Sequence, residues 1–141
     1  MSLYLCVFAS ADADEELEGV DVGAYDDFHS LRTLVATELE NGEWGRRFPV
    51  LMNHPDTGPE WSPAEAPLLR DELATIRAEL QALPPRSPVE SSWQARVAKS
   101  TGLTATSLAE CLIDVDGEPL LDRLIGLADL AGERGLPISF Q

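Results

Sequence analysis

The chain has 141 residues, of which 44% are hydrophobic, and this is enough for one domain with a buried core. Its net charge of −15 argues against nucleic acid as a direct partner, because the phosphates would be repelled. No apolar run approaches the roughly 18 residues that a membrane span needs. The N-terminus also lacks the basic region of a signal peptide, so we expect a cytoplasmic protein that does not bind membranes.

The chain begins with a predicted strand and an acidic loop. Residues 3–8 are apolar and rich in aromatic and branched side chains, and their lack of alternation indicates a strand that is covered on both faces. Residues 9–23 predict a loop that is dominated by carboxylates. Within this loop, Val20 and Val22 alternate with a polar residue and could belong to a short edge strand.

Two helices are predicted on either side of a second strand. Residues 25–41 carry apolar side chains at helical spacing. Residues 48–52 have the composition of a strand, and Pro49 favours an edge position for it. The next helix begins at Ser62-Pro63-Ala64-Glu65, which is a capping box with proline at the first helical position, and it continues to about residue 83.

A second capping box, Ser87-Pro88-Val89-Glu90, predicts a shorter helix that ends near residue 99. Helical spacing predicts that this helix buries Val89, Trp93 and Val97. The helix therefore should start immediately after the proline-rich turn.

The most apolar stretch of the chain is residues 120–132, which predict a long buried helix. Asp116 is the expected N-cap of this helix, and Pro119 fits its first turn. The preceding residues, 104–115, fit either a helix or a short strand, and residues 137–140 predict a last strand.

These elements predict an α+β fold in a single domain, residues 1–141. We expect a small mixed sheet of three to five strands, packed by three or four helices. Cys6 and Cys111 are each flanked by apolar residues, which predicts two buried free thiols. Whether the two thiols touch is left open by the sequence.

Sequence motifs of catalysis are missing from the chain. It contains no Gly-x-Ser-x-Gly, phosphate loop, His-Glu-x-x-His or Cys-x-x-Cys, so we expect no catalytic, cofactor or metal site. His29 and His54 are expected to be structural or surface residues. One alternative stays open, namely a small hydrolase-like enzyme that uses His54 with Asp56 and Glu60.

The segment Asp114-x-Asp116-Gly117-Glu118 is similar to part of a calcium-binding loop. The twelfth position of such a loop must supply a glutamate, and here that position holds Ile125. Helix capping is therefore the stronger interpretation of this segment.

The acidic loop is the best candidate for binding a partner. Between the first strand and the first helix there are no basic residues, whereas the acidic ones are Asp12, Asp14, Glu15, Glu16, Glu18, Asp21, Asp26 and Asp27. Such a run favours either simple solubility or a basic partner. Trp44 lies between two glycines and is a second candidate for an exposed contact.

Several short pieces, in order, resemble the immunity protein 70 family of bacterial polymorphic toxin systems. The pieces are Leu3-Tyr4-Leu5-Cys6-Val7-Phe8, Glu18-Gly19-Val20-Asp21-Val22-Gly23 with Tyr25-x-x-Phe28, Phe48-Pro49, Glu60-Trp61-Ser62-Pro63-x-Glu65, Leu83-Pro84-Pro85, Asp114-Val115-Asp116-Gly117-Glu118-Pro119-Leu120-Leu121 and Pro137-Ile138-x-Phe140. The resemblance implies a non-catalytic protein, without a cofactor, that binds and neutralises a cognate toxin domain. It carries over no site residues.

Charge and resemblance together predict a basic toxin, for example a nuclease, whose cleft an acidic protein could cover. The predicted toxin-binding residues are Asp12, Asp14, Glu15, Glu16, Glu18, Asp21 and Trp44. An adaptor-type interaction module is the other alternative to an immunity protein. The oligomeric state is not predicted.

Overall fold

A three-stranded sheet and five helices make up the part of the chain that the structure describes, which confirms the α+β class. The computed structural model describes residues 2–9, 15–55 and 58–141. None of the helices in these ranges is long and apolar enough to cross a membrane. In chain order the elements are β1 (Ser2–Phe8), β2 (Glu16–Ala24), α1 (Tyr25–Leu39), α2 (Pro49–Met52), α3 (Ala66–Gln81), α4 (Trp93–Thr101), a 3-10 turn (Ala109–Cys111), α5 (Leu120–Arg134) and β3 (Ser139–Phe140).

Strand β1 lies in the middle of the sheet, between β2 and β3. Leu5 pairs with Val20 of β2 on one side and with Phe140 of β3 on the other. Leu5 and Cys6 point to opposite faces of the sheet, and both are fully buried, as predicted for this strand. The strands pair antiparallel throughout the described residues instead of in the expected mixed arrangement, because the anticipated second strand, residues 48–52, does not form.

Helices α3 and α5 pack against each other and supply much of the core. Both helices present a continuous apolar stripe, as their 3.6-residue spacing predicts. The buried residues of the two helices are Ala66, Leu69, Leu73, Ile76, Leu80, Leu120, Leu121, Leu124, Ile125, Leu127, Ala128 and Ala131. Each large side chain among them contributes about 1.5–3 kcal/mol by leaving water.

The prediction of a strand at residues 48–52 was wrong, since Pro49–Met52 form the one-turn helix α2. The carboxylate of Glu72 on α3 accepts hydrogen bonds from the backbone N–H groups of Val50 (3.1 Å) and Leu51 (2.9 Å). These groups are the ones that the start of a helix leaves unsatisfied. A carboxylate from a distant helix therefore caps this turn, and apolar composition alone could not predict it.

Of the two predicted capping boxes, only the first forms its hydrogen bonds, and α3 begins after it, at Ala66, with Glu65 as the N-cap residue instead of Ser62. Ser62 Oγ accepts from the Glu65 N–H (3.2 Å), and Glu65 Oε1 accepts from the Ser62 N–H (3.0 Å). The second prediction was wrong, because α4 begins at Trp93 with Ser92 as its N-cap. Val89 is 72% exposed instead of buried, and α4 has no fully buried residue.

Asp27 explains where α4 begins. Its carboxylate accepts from Trp93 Nε1 (3.0 Å) and Gln94 Nε2 (2.7 Å), so it fixes the first residues of the helix against the start of α1. The same carboxylate also accepts from the Ala24 N–H (2.7 Å). This long-range anchor competes successfully with the local signal of the second capping box.

The acidic loop predicted for residues 9–23 is largely a strand. Its second half forms β2, which is nine residues long and lies at the edge of the sheet. The suggestion of a short edge strand at Val20 and Val22 is therefore confirmed, and the strand is longer than expected. Residues 104–115, ambiguous in sequence, hold the 3-10 turn and a single bridge between Ile113 and Pro119.

The turn after α1 depends on the buried carboxylate of Glu40, which is only 2% exposed. It accepts from the backbone N–H groups of Gly45 (3.2 Å), Arg47 (2.9 Å) and Phe48 (3.2 Å). Buried N–H groups without a partner cost free energy, and here one side chain satisfies three of them.

We expect Glu40→Ala to lower the free energy of unfolding by about 2–4 kcal/mol, because it leaves three backbone N–H groups without their acceptor. Glu43→Ala is the matched control. Glu43 forms only a surface ion pair with Arg46, so its loss should change stability by less than about 0.5 kcal/mol. Urea unfolding followed by circular dichroism measures the stability of both variants. Equal destabilisation by the two substitutions would contradict the role of Glu40 as the acceptor for this turn.

Candidate functional site

Four of the predicted acidic site residues lie on or beside the edge strand β2. Glu15, Glu16 and Glu18 are exposed, and Asp21 is half-buried. Asp12 and Asp14 lie outside the described residues. The structure therefore places the described part of the acidic run on a fixed strand with a defined register, where sequence analysis had expected a loop.

Register places Tyr4 of β1 beside the carboxylates of β2. Tyr4 pairs with Asp21, and Phe8 pairs with Glu16, so these side chains share one face of the sheet. The Tyr4 hydroxyl donates to Glu16 Oε2 (2.8 Å). A Cβ on Gly19 would lie only 2.0 Å from the Tyr4 hydroxyl oxygen, so the tyrosine ring needs a glycine beneath it. Burial, and then the bond to Glu16, raise the pKa of Tyr4 to about 12.

A second acidic segment lies against the outer edge of β2. The Val115 N–H donates to the Asp21 carbonyl oxygen (3.4 Å), and Arg123 of α5 donates to the Gly19 carbonyl oxygen (2.7 Å). Residues 114–118 therefore lie next to β2, and their carboxylates Asp116 and Glu118 are exposed there. We call Glu15, Glu16, Glu18, Asp21, Asp116 and Glu118 the acidic surface.

Asp114, only 1% exposed, holds this second segment in place. Its carboxylate accepts from the backbone N–H groups of Asp116 (2.9 Å) and Glu118 (3.0 Å) and from Arg123 (3.2 Å). The prediction that Asp116 caps α5 was wrong, because the N-cap residue is Pro119. Asp114 satisfies the main chain of the turn instead, and this leaves the Asp116 side chain in solvent.

The acidic surface keeps most of its charge. Arg123 lies 3.5 Å from Glu18 and is shared with Asp114. Across residues 2–9, 15–55 and 58–141, no other member of the surface forms an ion pair. The remaining ion-paired arginines are satisfied elsewhere, for example Arg47 by Glu79 and Arg77 by Asp122. The surface therefore has a local negative field that ion pairs of the described residues compensate only at Glu18.

Trp44 lies away from this surface in the contacts that the structure describes. Its ring packs on His29 of α1, with 5.8 Å between centroids, and its indole N–H donates to the Met52 carbonyl oxygen (2.7 Å). The side chain is 41% exposed. Its role as an interface residue stays a prediction, and no described contact joins it to the carboxylates of β2.

The hydrolase alternative draws no support from His54. Its ring lies against Trp61 (4.7 Å between centroids) and Phe140 (4.6 Å), and its Nδ1 is 2.7 Å from the Pro55 carbonyl oxygen. Glu60 is exposed and has no described contact with His54, while Asp56 lies outside the described residues. In the described ranges, no three histidine, cysteine or acidic residues are grouped as a metal site would require.

The two cysteines are free thiols in different surroundings. Cys6 is fully buried, as predicted, and burial raises its pKa to about 11. Cys111 is only half-buried, and its sulfur exchanges hydrogen bonds of 3.3 Å with the backbone N–H and carbonyl oxygen of Arg86. A buried thiol with a raised pKa carries little thiolate at neutral pH, so we expect Cys6 to react slowly with thiol reagents.

The comparison with protein families supports one of the classes of function that sequence analysis left open, the immunity protein. The model of the family described as immunity protein 70 matches residues 3–140, which is nearly the whole chain. The chain belongs to the immunity protein 70 family. A comparison with curated proteins and one with solved structures each gave no match.

Family membership makes this chain an immunity protein, so a toxin partner is implied. The part of the site that sequence analysis missed is Asp116 and Glu118. No local signal could have placed them next to β2, because they lie about a hundred residues away from it in the chain. Their neighbour Asp114 was noted only as part of a capping segment.

The role of Asp114 can be tested against its neighbour. We expect Asp114→Ala to lower the free energy of unfolding of the immunity protein by about 2–4 kcal/mol, because it leaves two N–H groups and a guanidinium without their acceptor. Asp116→Ala should change it by less than about 0.5 kcal/mol, since that side chain is exposed. Urea unfolding measures the free energy of unfolding of both variants. A larger decrease for Asp116→Ala than for Asp114→Ala would mean that Asp116 caps the helix after all.

The Tyr4–Glu16 contact can be measured by titrating the phenolate absorbance. We expect one tyrosine to ionise near pH 12, and Tyr4→Phe should remove this transition. Glu16→Gln should lower the midpoint because it replaces the charged acceptor of the Tyr4 hydroxyl with a neutral one, whereas burial still keeps the pKa above its ordinary value. Because the folded-state pKa of Tyr4 is raised, its contribution to stability is complete below about pH 10. This contribution is lost as the pH rises through about 12.

Circular dichroism at each pH provides the control that the protein is still folded during this titration. An unchanged titration midpoint in Glu16→Gln would contradict this expectation. The hydrogen bond between the Tyr4 hydroxyl and the Glu16 carboxylate would then not hold this part of the acidic surface in place.

Proposed function

We propose that this immunity protein neutralises a basic toxin domain by direct contact through the acidic surface, without catalysis. The observation that carries the proposal is the meeting of two acidic segments, β2 and residues 114–118, at the edge of the sheet. The carboxylates there, apart from Glu18, have no ion-pair partner within the described residues. Such a surface can form ion pairs with basic residues of a partner. Membership of an immunity family implies that this partner is a toxin.

A nuclease is the class of toxin that this surface fits best. Enzymes that act on nucleic acid need a basic cleft to hold phosphates. Carboxylates on a rigid strand can cover such a cleft by taking the place of phosphate groups. The encounter would take place in the cytoplasm of the cell that makes the toxin, where the cleft would otherwise meet nucleic acid.

Electrostatic attraction acts mainly on the rate of association. Complementary charge raises association rate constants from about 10⁵–10⁶ to as much as about 10⁸–10⁹ M⁻¹s⁻¹ at low salt. Fast association suits an inhibitor that has to reach the toxin before a substrate does. The same mechanism makes association sensitive to salt, because mobile ions screen the field beyond about 10 Å at 0.1 M.

The edge of β2 is not available for pairing with a strand of the partner. Arg123 and the Val115 N–H already occupy the carbonyl oxygens of Gly19 and Asp21. Covered edges of this kind prevent sheet-to-sheet association. Recognition on this side of the molecule therefore depends on side-chain charge instead of on main-chain pairing.

We expect the triple variant Glu15→Gln, Glu16→Gln, Glu18→Gln to associate at least about tenfold more slowly at low salt and to show a flatter salt dependence. The partner is the C-terminal domain of the protein encoded by the adjacent gene, and stopped-flow fluorescence gives the rates. Association should slow because the variant loses the local negative field, whereas the dissociation rate should change little.

The matched control is the triple variant Glu43→Gln, Asp71→Asn, Glu133→Gln, which makes the same change in net charge outside the acidic surface. At an ionic strength of about 0.15 M its association should stay within about twofold of the unmodified protein, because charges farther than about 8 Å from the interface are then screened. If both triple variants slow association equally, then net charge and not this surface attracts the toxin. If neither does, then the interface lies elsewhere.

A further inference from the structure

An apolar groove lies beside the acidic surface, beneath residues 84–91. This segment has no regular structure and connects α3 to α4. Two adjoining cavities of about 240 and 440 Å³ open beneath it. Both cavities are lined by Arg86, Ser87, Pro88, Gln94, Cys111 and Ile113, so together they form one continuous groove.

The groove is mainly apolar and open at its rim. Core side chains such as Leu31, Leu108 and Leu120 form its floor. At the rim, Val89 is 72% exposed and Leu103 is 38% exposed, and both line a cavity. Apolar surface left in water around an unfilled groove is costly, and this is the usual mark of a binding site.

Polar contacts and half-buried side chains, such as Val97 against Gly117, hold the outer wall of the groove. Helix α4 contributes no buried residue, and Asp27 anchors its first turn through Trp93 and Gln94. The segment above the groove is joined to Cys111 by two hydrogen bonds of 3.3 Å, in which the Arg86 N–H donates to the sulfur and the thiol donates to the Arg86 carbonyl oxygen. A side chain can therefore enter this groove without displacing any part of the buried core.

The acidic surface and the groove are continuous. A Cβ on Gly117 would lie 3.1 Å from Val97 and 3.2 Å from Thr101, so residues 114–118 lie directly against α4. Gly117 also has a φ of +82°, which side chains rarely adopt. Residues 114–118 therefore lie between β2 and the helix whose residues Gln94 and Ala98 line the groove.

The charges near the groove restrict what can occupy it. Arg86 lines the groove but is paired with Glu38. The two other basic residues of this region, Arg96 and Lys99 on α4, line neither cavity. An occupant that reaches the groove across the acidic surface has to carry positive charge beside an apolar group. Small anionic ligands are disfavoured for the same reason.

We propose that the groove receives an apolar side chain of the toxin domain, flanked by basic residues that contact the acidic surface. This inference depends on the proposed function, since it adds a second part to the same interface. The two parts have separate effects on binding. Carboxylates accelerate association, whereas an apolar side chain held in a groove slows dissociation.

The double variant Val89→Asn, Leu103→Asn tests the groove without changing the charge. We expect the toxin domain encoded by the adjacent gene to dissociate about tenfold faster or more, while the association rate and its salt dependence stay unchanged. Both residues are exposed, so the variant should unfold at the same temperature as the unmodified protein. The matched control is Leu68→Asn on α3, where an equally apolar residue is 55% exposed outside the groove.

Cys111 provides a second readout that needs no substitution. Its thiol lines both cavities, so a toxin side chain in the groove should slow its alkylation by N-ethylmaleimide about tenfold or more. Peptide mass spectrometry assigns the label to each cysteine. Cys6 is the internal control, because it is fully buried and should stay unlabelled with and without toxin.

The outcomes distinguish this inference from the proposed function. Unchanged dissociation in the double variant, together with unprotected Cys111 in the complex, would overturn the groove but leave the acidic surface as the interface. If Leu68→Asn accelerated dissociation of the toxin domain as much as the double variant, then the proposal of the groove would also be overturned. A toxin domain that does not bind the unmodified protein at all would overturn both proposals.

Discussion

The buried carboxylate of Asp114 is the constraint on which the arrangement of the acidic surface depends. Burying a carboxylate is costly unless hydrogen bonds and a counter-charge compensate for it. Here two backbone N–H groups and the Arg123 guanidinium supply that compensation. Because Arg123 also binds the Gly19 carbonyl oxygen, the same group joins the turn before α5 to the edge of the sheet. Two acidic segments that are remote in the chain thereby become one surface.

Carboxylates have two distinct physical roles in this protein. Glu40, Glu72, Asp27 and Asp114 point inward, where they accept hydrogen bonds from main-chain N–H groups and fix turns and helix starts. Those of the acidic surface are exposed, apart from the half-buried Asp21, which also accepts from the Gly23 N–H (3.0 Å). Net charge alone does not separate these roles, because the charge of an acidic residue is the same in both. The proposed interface uses only the second set, and the first set provides the rigid support for it.

Charge and apolar contact make different contributions to the binding that we propose. The field of the acidic surface acts over about a Debye length and guides the approach of a basic partner. The groove acts only at contact, where excluding water from an apolar side chain stabilises the complex. An immunity protein benefits from both effects, because inhibition has to begin quickly and then persist. Their adjacency follows from the contact of residues 114–118 with α4.

The sequence by itself determined the α+β class, the helices α1, α3 and α5, the strand β1 and the family, because periodicity and the first capping box are local signals. It also identified the β2 carboxylates as candidates. Only the tertiary structure decided that residues 48–52 form a helix under Glu72, that Asp27 sets the start of α4, and that Asp116 and Glu118 join β2. Each of these depends on a hydrogen bond between residues far apart in the chain. Such bonds form only once burial has brought their partners together.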